Sequence, residues 1–406
     1  MMNRPRVLLL TGYFDWFSGY QETGLAAWFP RYATTEVIAS DRVSHIFSDA
    51  HLAELGMPRR YEAGTRVENG VKVTRFSTSE KRSMVWSTEA RTYIESQQYD
   101  LIVQVMPGQV MPVAGTFARN QAVRAVLYGD NSAMWSHLSV TQRILKGAAF
   151  AVSKGALYAL VNRRADLVYG YTPNTVSRLK FFGGGKKMSV LPLAFDPEKF
   201  YFDEGTRESR RQGLGYTDSD TVVLAVGKFQ RKKRLDLLVE AFSKLTPRHV
   251  GLKLLIVGAD DTAYSTEFKA QISADPGLSE LVTVMGFVDA AELNALFNAA
   301  DIGVWPRMPA ITIQQAMGTG LNVVLPDNDW VGHLIRPGSG TYFNTFDESD
   351  SLGIEMAIAS QLGGDLGAAG RKQRADVNAW LGADRLSISL LQAAGIGGKL
   401  WPWQVS

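Results

Sequence analysis

The chain has 406 residues, with 43 Lys and Arg, 40 Asp and Glu, five His and no Cys. That length suits two or three domains, each large enough to bury its own core, and a composition 46% apolar and 20% charged excludes extended disorder. Without cysteine there is no disulfide framework, thiolate nucleophile or Cys-based metal centre, and a net charge of +3 does not by itself point to nucleic acid.

The first apolar run, Val7–Leu10, is too short for the core of a signal peptide. The most apolar stretch, Ala148 to Val161, is broken by Lys154 and cannot span a bilayer. The chain is therefore read as cytoplasmic, with a peripheral contact at the inner face of a membrane left open.

Short β-branched runs alternate with longer helical periods. Val7–Leu10 is followed by Gly12, Gly19 and a helical segment over Glu22–Phe29, and further runs occur at Glu36–Ala39, Val71–Thr74, Leu101–Val105 and Val123–Tyr128. Continuous apolar runs of this length read as strands covered on both faces, and their alternation with helices predicts βαβ units around a parallel sheet. The rhythm restarts near residue 220. Val222–Val226 precedes a helical stripe of Leu235, Leu238, Val239, Phe242 and Leu245, then come Leu252–Val257, a second stripe of Leu293, Leu296, Phe297 and Ala300, and the runs Ile302–Trp305 and Asn322–Leu325.

Two α/β halves are thus expected. The seam lies within Leu193–Ser219, which holds Pro197, a charged run from Glu204 to Arg211, and Gly213 and Gly215. This places the first domain at 1–200 and the second at 201–382. A last helix, Asp384–Ala394, belongs to a segment of about 383–406 expected to pack back on the first domain.

Several motifs are missing. No Gly-x-Gly-x-x-Gly follows a strand, Gly183-Gly184-Gly185-Lys186 lacks the spacing of a phosphate-binding P-loop, and no Gly-x-Ser-x-Gly elbow occurs. The five histidines include no pair at metal-ligand spacing. Asp218-Ser219-Asp220 and Asp327-Asn328-Asp329 read more readily as turns than as holders of a cation. No metal site is assigned.

Three features carry chemistry. Gly227-Lys228-Phe229-Gln230-Arg231-Lys232-Lys233-Arg234 puts five cations directly after the strand Val222–Val226. In open α/β sheets ligands bind at the carboxyl ends of strands, and cations near a helix N-terminus suit phosphates. Pro309 to Gly320 follows the strand Ile302–Trp305, and its Ala310, Ile311 and Thr312 can offer free N–H groups at the start of a short helix. Gly12, Ser18-Gly19-Tyr20 and Gly24 follow the first strand, where glycine permits close approach of a ligand.

Taken in order, these features resemble the retaining, GT-B-fold glycosyltransferases of family 4 over nearly the whole chain. Ser18-Gly19 with Leu25-Ala26 is similar to the family's glycine loop and first helix. Ala165–Val168 and Val190–Phe195 are similar to the end of its first domain. Gly227-Lys228-Phe229 with Lys233-Arg234 is similar to the segment whose two cations hold the donor diphosphate. Val257-Gly258, Val284–Val288, Ala300-Asp301 and Ala316-Met317 with Gly320 continue the order. The departures fall at functional positions. Arg307 and Gln315 stand where the family has two glutamates, Gly129 followed by Asp130 where it has a histidine, and His333 where it has a further glutamate.

The resemblance implies two Rossmann-like α/β domains facing across a cleft. It also implies transfer of a sugar, with retention, from a nucleotide-diphosphate donor to a hydroxyl of a glycan, lipid-linked or small-molecule acceptor, in bacterial polysaccharide or glycoconjugate biosynthesis. It assigns Lys228 and Lys233 to the leaving diphosphate and Asp130 to the acceptor or donor sugar. Gly19, Gly258, Phe287, Val288, Arg307, Ala310, Ile311, Thr312 and Gln315 are assigned to the donor. The nucleotide sugar enters as substrate, and neither cofactor, metal nor nucleic acid is called for. At Arg307 a fixed cation suits a negatively charged donor group or the diphosphate, while the Gln315 amide can still bond ribose hydroxyls. The stretch Ala148–Arg164 is read as a buried connecting helix, with a membrane contact as the alternative. The rival reading of the whole chain is a catalytically silent GT-B protein that binds a nucleotide sugar or a partner enzyme; a sugar-nucleotide epimerase or phosphorylase on the same fold ranks third.

Overall fold

The computed structural model describes residues 4–47, 49–81, 84–129, 139–183, 188–335, 340–343, 351–362, 364 and 366–396. It divides into two compact units, one of Met1–Leu193 with Ala383–Ser406 and the other of Ala194–Gly382. The division falls a few residues before the seam placed near residue 200, because Phe195 and Phe200 are buried in the core of the second unit.

The first unit contains β1 (Arg6–Leu10), β2 (Thr34–Ser40), β3 (Gly64–Glu68), β4 (Val71–Phe76), β5 (Ser79–Lys81), β6 (Met84–Trp86), β7 (Leu101–Val105), β8 (Val123–Tyr128), β9 (Leu167–Gly170) and β10 (Met188–Val190). Its main sheet runs β10-β9-β8-β7-β1-β2-β4-β3, and β5 pairs with β6 as a separate ribbon. All main-sheet pairs are parallel except β3 with β4.

That hairpin was not foreseen, because β3 is almost wholly exposed and lacks an apolar run. Its signal is Asn69-Gly70, both at positive φ as a tight two-residue turn requires. Helix Ala383–Ala393 returns to this unit, where Ala383 faces Gly24 on helix Gln21–Trp28 across an ordinary contact of 3.6 Å from an ideal glycine Cβ.

The second unit contains β11 (Thr221–Val226), β12 (Leu252–Ala259), β13 (Val282–Gly286), β14 (Ile302–Val304), β15 (Asn322–Pro326) and β16 (Gly340–Phe343), ordered β13-β12-β11-β14-β15-β16 and parallel throughout. In order of appearance this is the 3-2-1-4-5-6 arrangement of a Rossmann sheet, whose strand order reverses between β11 and β14. The apolar run of β11 is explained by burial on both faces. Val223 and Ala225 enter one core with Leu238 and Phe242, while Val222 and Leu224 enter the other with Phe297 and Val323.

The charged run Glu204–Arg211 is not a linker. It belongs to helix Glu204–Gly213, capped by Asp203, whose side chain accepts from Thr206 N. Arg211 is buried, and it and Arg207 donate to opposite oxygens of Asp301, at 3.2 and 2.6 Å. Asp301 Oδ2 also accepts from Val222 N at 2.8 Å, so this aspartate ties the start of β11 to that helix. Sequence period alone reads such a stretch as polar surface, because it does not show a charge being paid for by a buried partner.

Both Asp-x-Asp triplets are turns. Asp220 Oδ2 accepts from Thr217 N at 2.7 Å, and Asn328 Oδ1 accepts from Trp330 N and Val331 N. The expected buried helix over Ala148–Arg164 is only partly buried: Gly155, Val161 and Asn162 face inward, whereas Val152 is 83% exposed.

Phe195 packs directly over helix Ile311–Gly318, where a Cβ on Gly318 would lie 2.3 Å from its ring. Phe195 is itself fully buried and has no room to retreat. Gly318→Ala is therefore expected to lower stability by about 1–3 kcal/mol through overpacking, measured as a shift in the denaturant midpoint.

Candidate functional site

The carboxyl ends of β11 and β14 flank the point where the strand order reverses, and a narrow pocket opens there. Its walls include Gly227, Lys233, Trp305, Pro306 and Met308. Gly227 leaves β11 at φ 149°, and Gly258, at φ 108°, lies against it so closely that a Cβ on Gly258 would meet Gly227 O at 2.6 Å. The chain then buries Phe229, which stacks edge-on against Phe268 at 5.2 Å, and winds through a single turn over Arg231–Lys233. Arg234, in the left-handed region at φ 55°, redirects the backbone into helix Leu235–Leu245.

The five cations of this loop are not equivalent. Arg231 pairs with Glu267 and stacks over Tyr264, and Arg234 pairs with Asp236. Lys228, Lys232 and Lys233 make no ion pair among the described residues. Lys228 is exposed, whereas Lys233 is turned into the pocket beside Gly227. Burial, aided by the neighbouring Lys232 charge, pushes the Lys233 ammonium down to about 8. A desolvated cation at the carboxyl end of a central strand is an anion seat in search of its anion.

Trp305 fixes the opposite wall. Its Nε1–H is shared between Val226 O and Thr312 Oγ1, each at 3.1 Å, which ties the end of β11 to the first turn of helix Ile311–Gly318. The ring folds back over Gly303, where a Cβ would lie 2.6 Å from it. Ala310 caps this helix in extended conformation with no side-chain bond, so the N–H groups of Ile311 and Thr312 are left for a ligand or solvent.

The structure thus brings together Lys233, Gly258 through its contact with Gly227, and Ala310–Thr312 through Trp305. Arg307 is half-buried between the pocket residues Pro306 and Met308. Phe287 is exposed and Val288 half-buried, directly after the edge-side strand β13. Gly19 lies in the first unit, at φ 64° after the turn Trp16–Ser18. Asp130 lies outside the described residues.

Sequence reasoning missed Trp305 as a structural clamp and Gln314 as a buried polar group. The signal for the first was the tryptophan closing an apolar strand, and for the second a polar residue on the inward side of a helix. Gln314 is 5% exposed, and Oε1 of both Gln314 and Gln315 is buried without a hydrogen-bond partner among the described residues. Both nitrogens of His333, in the turn Gly332–Leu334 after β15, are likewise buried and without a partner among the described residues. Orphaned polar atoms cost about 1–3 kcal/mol each unless a ligand or water meets them.

In the first unit the loop after β1 holds two carboxyls that were also missed. Asp15 is 2% exposed, with burial raising it to about 6 against the hydrogen bond from Tyr61 and the Arg75 charge. Glu22, in the first turn of helix Gln21–Trp28, is raised to about 7, chiefly by desolvation. Among the described residues no cluster of three or more His, Asp and Glu could hold a metal ion.

Two Rossmann-like α/β units define a GT-B architecture, and the solved structures it resembles share it. HepE of Anabaena in complex with UDP superposes with a TM-score of 0.69 at 17% identity, covering 96% of this chain and 99% of that one. Sucrose-phosphate synthase from Thermosynechococcus elongatus gives 0.67 at 16% identity, covering 96% and 98%. Residues 220–359, most of the second unit, match the family described as glycosyl transferases group 1. The mannosylfructose-phosphate synthase of Agrobacterium fabrum is 27% identical over 249 residues, covering 57% of this chain and 54% of that protein. The D-inositol 3-phosphate glycosyltransferase of Nocardia farcinica is 25% identical over 246 residues, covering 56% and 54%. The chain spans about half the length of these relatives. Its second unit thus matches the glycosyl transferases group 1, and the chain is similar to these relatives at low identity.

His333 supplies a test of the buried site that needs no ligand. Its folded pKa is about 4 against an ordinary 6.5, so the unfolded chain takes up the proton first as pH falls. The His333 contribution to stability is whole above about 6.5 and is lost progressively as pH drops through about 4. Asp15 and Glu22, whose pKa values are raised, act in the opposite sense, so the variant must be compared with the parent. His333→Leu is expected to flatten the acid side of the stability profile, read by urea unfolding at several pH values.

Proposed function

We propose that the protein transfers a sugar from a nucleotide-diphosphate donor to an acceptor hydroxyl, with retention at the anomeric carbon. The observation that carries this reading is the desolvated Lys233 ammonium, set beside the Gly227 turn at the strand-order reversal of a group 1 glycosyltransferase unit. Such a cation, with the N–H groups at Ile311 and Thr312, matches what a departing diphosphate requires. Lys228, on the exposed side of the same loop, is the second diphosphate cation. Gly19, with Gly258, Phe287, Val288, Ala310 and Gln315, is assigned to the donor, and Asp130 to the acceptor or donor sugar.

In this reading the leaving phosphate oxygen takes the acceptor proton as the new glycosidic bond forms and the old one breaks. The protein then needs no strong base, cofactor or metal, because fixed positive groups neutralise the leaving group. HepE of Anabaena was solved with UDP-glucose, which supports a nucleotide sugar as ligand class. Acceptors of the glycan, lipid-linked or small-molecule kind, and a place in bacterial polysaccharide or glycoconjugate synthesis, complete the proposal. The amylovoran biosynthesis glycosyltransferase AmsK of Erwinia amylovora, 24% identical over 185 residues, is in keeping with that setting. We place this work in the cytoplasm, with a peripheral contact at the inner face of the membrane as the alternative.

Lys233 is charged below about pH 8 and neutral above it. Affinity for the nucleoside diphosphate, chosen from UDP, GDP, dTDP and CDP by thermal shift, is therefore expected to fall as pH rises through that value. Lys233→Arg, which stays charged, should flatten the fall in titration calorimetry. Lys233→Met should lower turnover by about 10²–10³-fold while the fold survives. Unaltered turnover in both Lys228→Met and Lys233→Met rules the assignment out. Full nucleotide binding by the parent without hydrolysis or transfer of any donor would favour the silent, ligand-binding reading instead.

Arg307 extends the proposal to the donor sugar. Beside the pocket residues Pro306 and Met308, a fixed guanidinium suits a carboxylate, as on a uronic acid. Arg307→Ala is expected to lower the preference for an acidic over a neutral donor by about tenfold or more, read as a ratio of kcat/KM values. Retention of both donor affinity and sugar preference would remove Arg307 from the donor site.

A further inference from the structure

Residues 139–190 contain nine Lys and Arg and a single acidic residue, Asp166, in a chain whose overall formal charge is only +3. The rest of the chain is therefore net acidic, and the positive charge is segregated into this stretch. Asp166 does not relieve it, because its Oδ2 is used by the backbone N–H of Arg124 at 2.9 Å.

The same stretch carries an uncovered apolar face. A capping box of Ser139 and Gln142 starts helix Val140–Phe150, which continues through the wider turn Ala151–Gly155 into helix Ala156–Arg164. Val140, Ile144, Leu145 and Val152 follow helical spacing on one broad side and are 68%, 66%, 65% and 83% exposed.

The helix is anchored from below. Phe150 stacks edge-on against Tyr158 and Phe182 at 5.5 and 5.9 Å, and Gly155 leaves room for the Phe182 ring, which a Cβ would meet at 2.4 Å. That anchor brings the turn Lys180–Phe182 alongside, with Phe181 85% exposed. Lys146, Arg163 and Lys180 are exposed around these side chains. The apolar group is thus held in place by packing beneath it, and nothing in the described residues covers it.

Three kinds of partner could cover such a face. Nucleic acid is attracted by the charge, but the face offers its bases one exposed ring, Phe181, among Val, Ile and Leu side chains on which nothing stacks. A second copy meeting the first about a two-fold axis would bring the same cations against themselves. A bilayer with anionic headgroups satisfies both properties at once, taking the aliphatic and aromatic side chains at the acyl boundary and the lysines and arginines at the phosphates. No helix among the described residues is long and apolar enough to cross a membrane, so the contact lies on the surface and does not span it.

We propose that the face formed by Val140, Ile144, Leu145, Val152 and Phe181, ringed by Lys146, Arg163 and Lys180, docks the first unit on a bilayer rich in anionic phospholipid. This does not depend on the transferase reading, because the face contains none of the residues assigned to the donor.

The test is co-sedimentation of the full chain with vesicles of phosphatidylcholine alone or mixed with phosphatidylglycerol. Binding is expected only to the anionic vesicles and should weaken as salt is raised. The pair Ile144→Asp/Leu145→Asp, and separately Lys146→Glu/Lys180→Glu, should each weaken binding by about tenfold or more. Both variants should keep the parent's melting temperature and nucleoside diphosphate affinity, which separates a lost surface from a lost fold. The proposal fails if the parent ignores anionic vesicles at low salt, binds neutral ones equally well, or binds through a surface that both pairs leave intact. It fails too if the parent is a dimer in solution that the aspartate pair dissociates.

Discussion

Two backbones meet at the carboxyl ends of β11 and β12 with no side chain between them. A Cβ on Gly258 would lie 2.6 Å from Gly227 O, so this contact exists only because both positions are glycine and both adopt backbone angles that other residues rarely take. From it follows the route of the loop. The chain leaves β11 without filling the strand end, buries Phe229 as an anchor, and returns Lys233 to within 3.8 Å of where a Gly227 Cβ would be. A pocket rim made of backbone admits a phosphate as close as a hydrogen bond allows, and a side chain there would hold it off.

The lysine set against that rim costs stability. Taking an ammonium out of water disfavours its charged form, and the fall to about 8 is the measure of it. A sequence selected for stability alone would have paired or exposed this residue, as it did Arg231 and Arg234 in the same loop. The unpaired cation is tolerated because the surrounding turn is fixed from both sides, by Phe229 against Phe268 and by Trp305 against Val226 and Thr312. Charge held in position before the ligand arrives needs no reorganisation when it does, which is where electrostatic stabilisation of a leaving group gains its size.

Much of the architecture was legible because parallel strands buried on two faces leave continuous apolar runs. Val222–Val226, Leu252–Val257 and Leu101–Val105 could be read as strands with little more than that pattern. What escaped lacked the pattern. The hairpin strand Gly64–Glu68 is exposed on nearly every residue and announced itself only through Asn69-Gly70. Helix Glu204–Gly213 looked like a charged linker, since pairing of Arg207 and Arg211 with Asp301 is a tertiary fact. Within the site, the cations after β11 could be located from sequence, but their division into the exposed Lys228 and the half-buried Lys233 turned into the pocket could not. That difference depends on which way a single turn of chain rotates the side chain. Trp305 shows the same limit: a tryptophan closing an apolar strand marks the position, but which two elements its indole N–H bridges is a tertiary fact.

The departures from the family pattern share a physical direction. Gln315 and His333 replace charged positions by groups that are neutral in the folded protein near pH 7, His333 because burial holds its pKa near 4. Each keeps hydrogen-bonding capacity, and each leaves buried atoms unmet, as does Gln314 beside them in sequence. A carboxylate at such a buried position would have to be desolvated along with the ligand, whereas an amide or a neutral imidazole accepts burial at lower cost and still discriminates by geometry. On the proposed reading, with those two carboxylates gone and Arg307 beside the pocket residues Pro306 and Met308, the donor site carries less negative charge than the family pattern would give it. In that reading the shift favours an anionic ligand and weakens selection by charge among sugar hydroxyls, leaving recognition to shape and to neutral hydrogen-bonding groups such as the Gln315 amide.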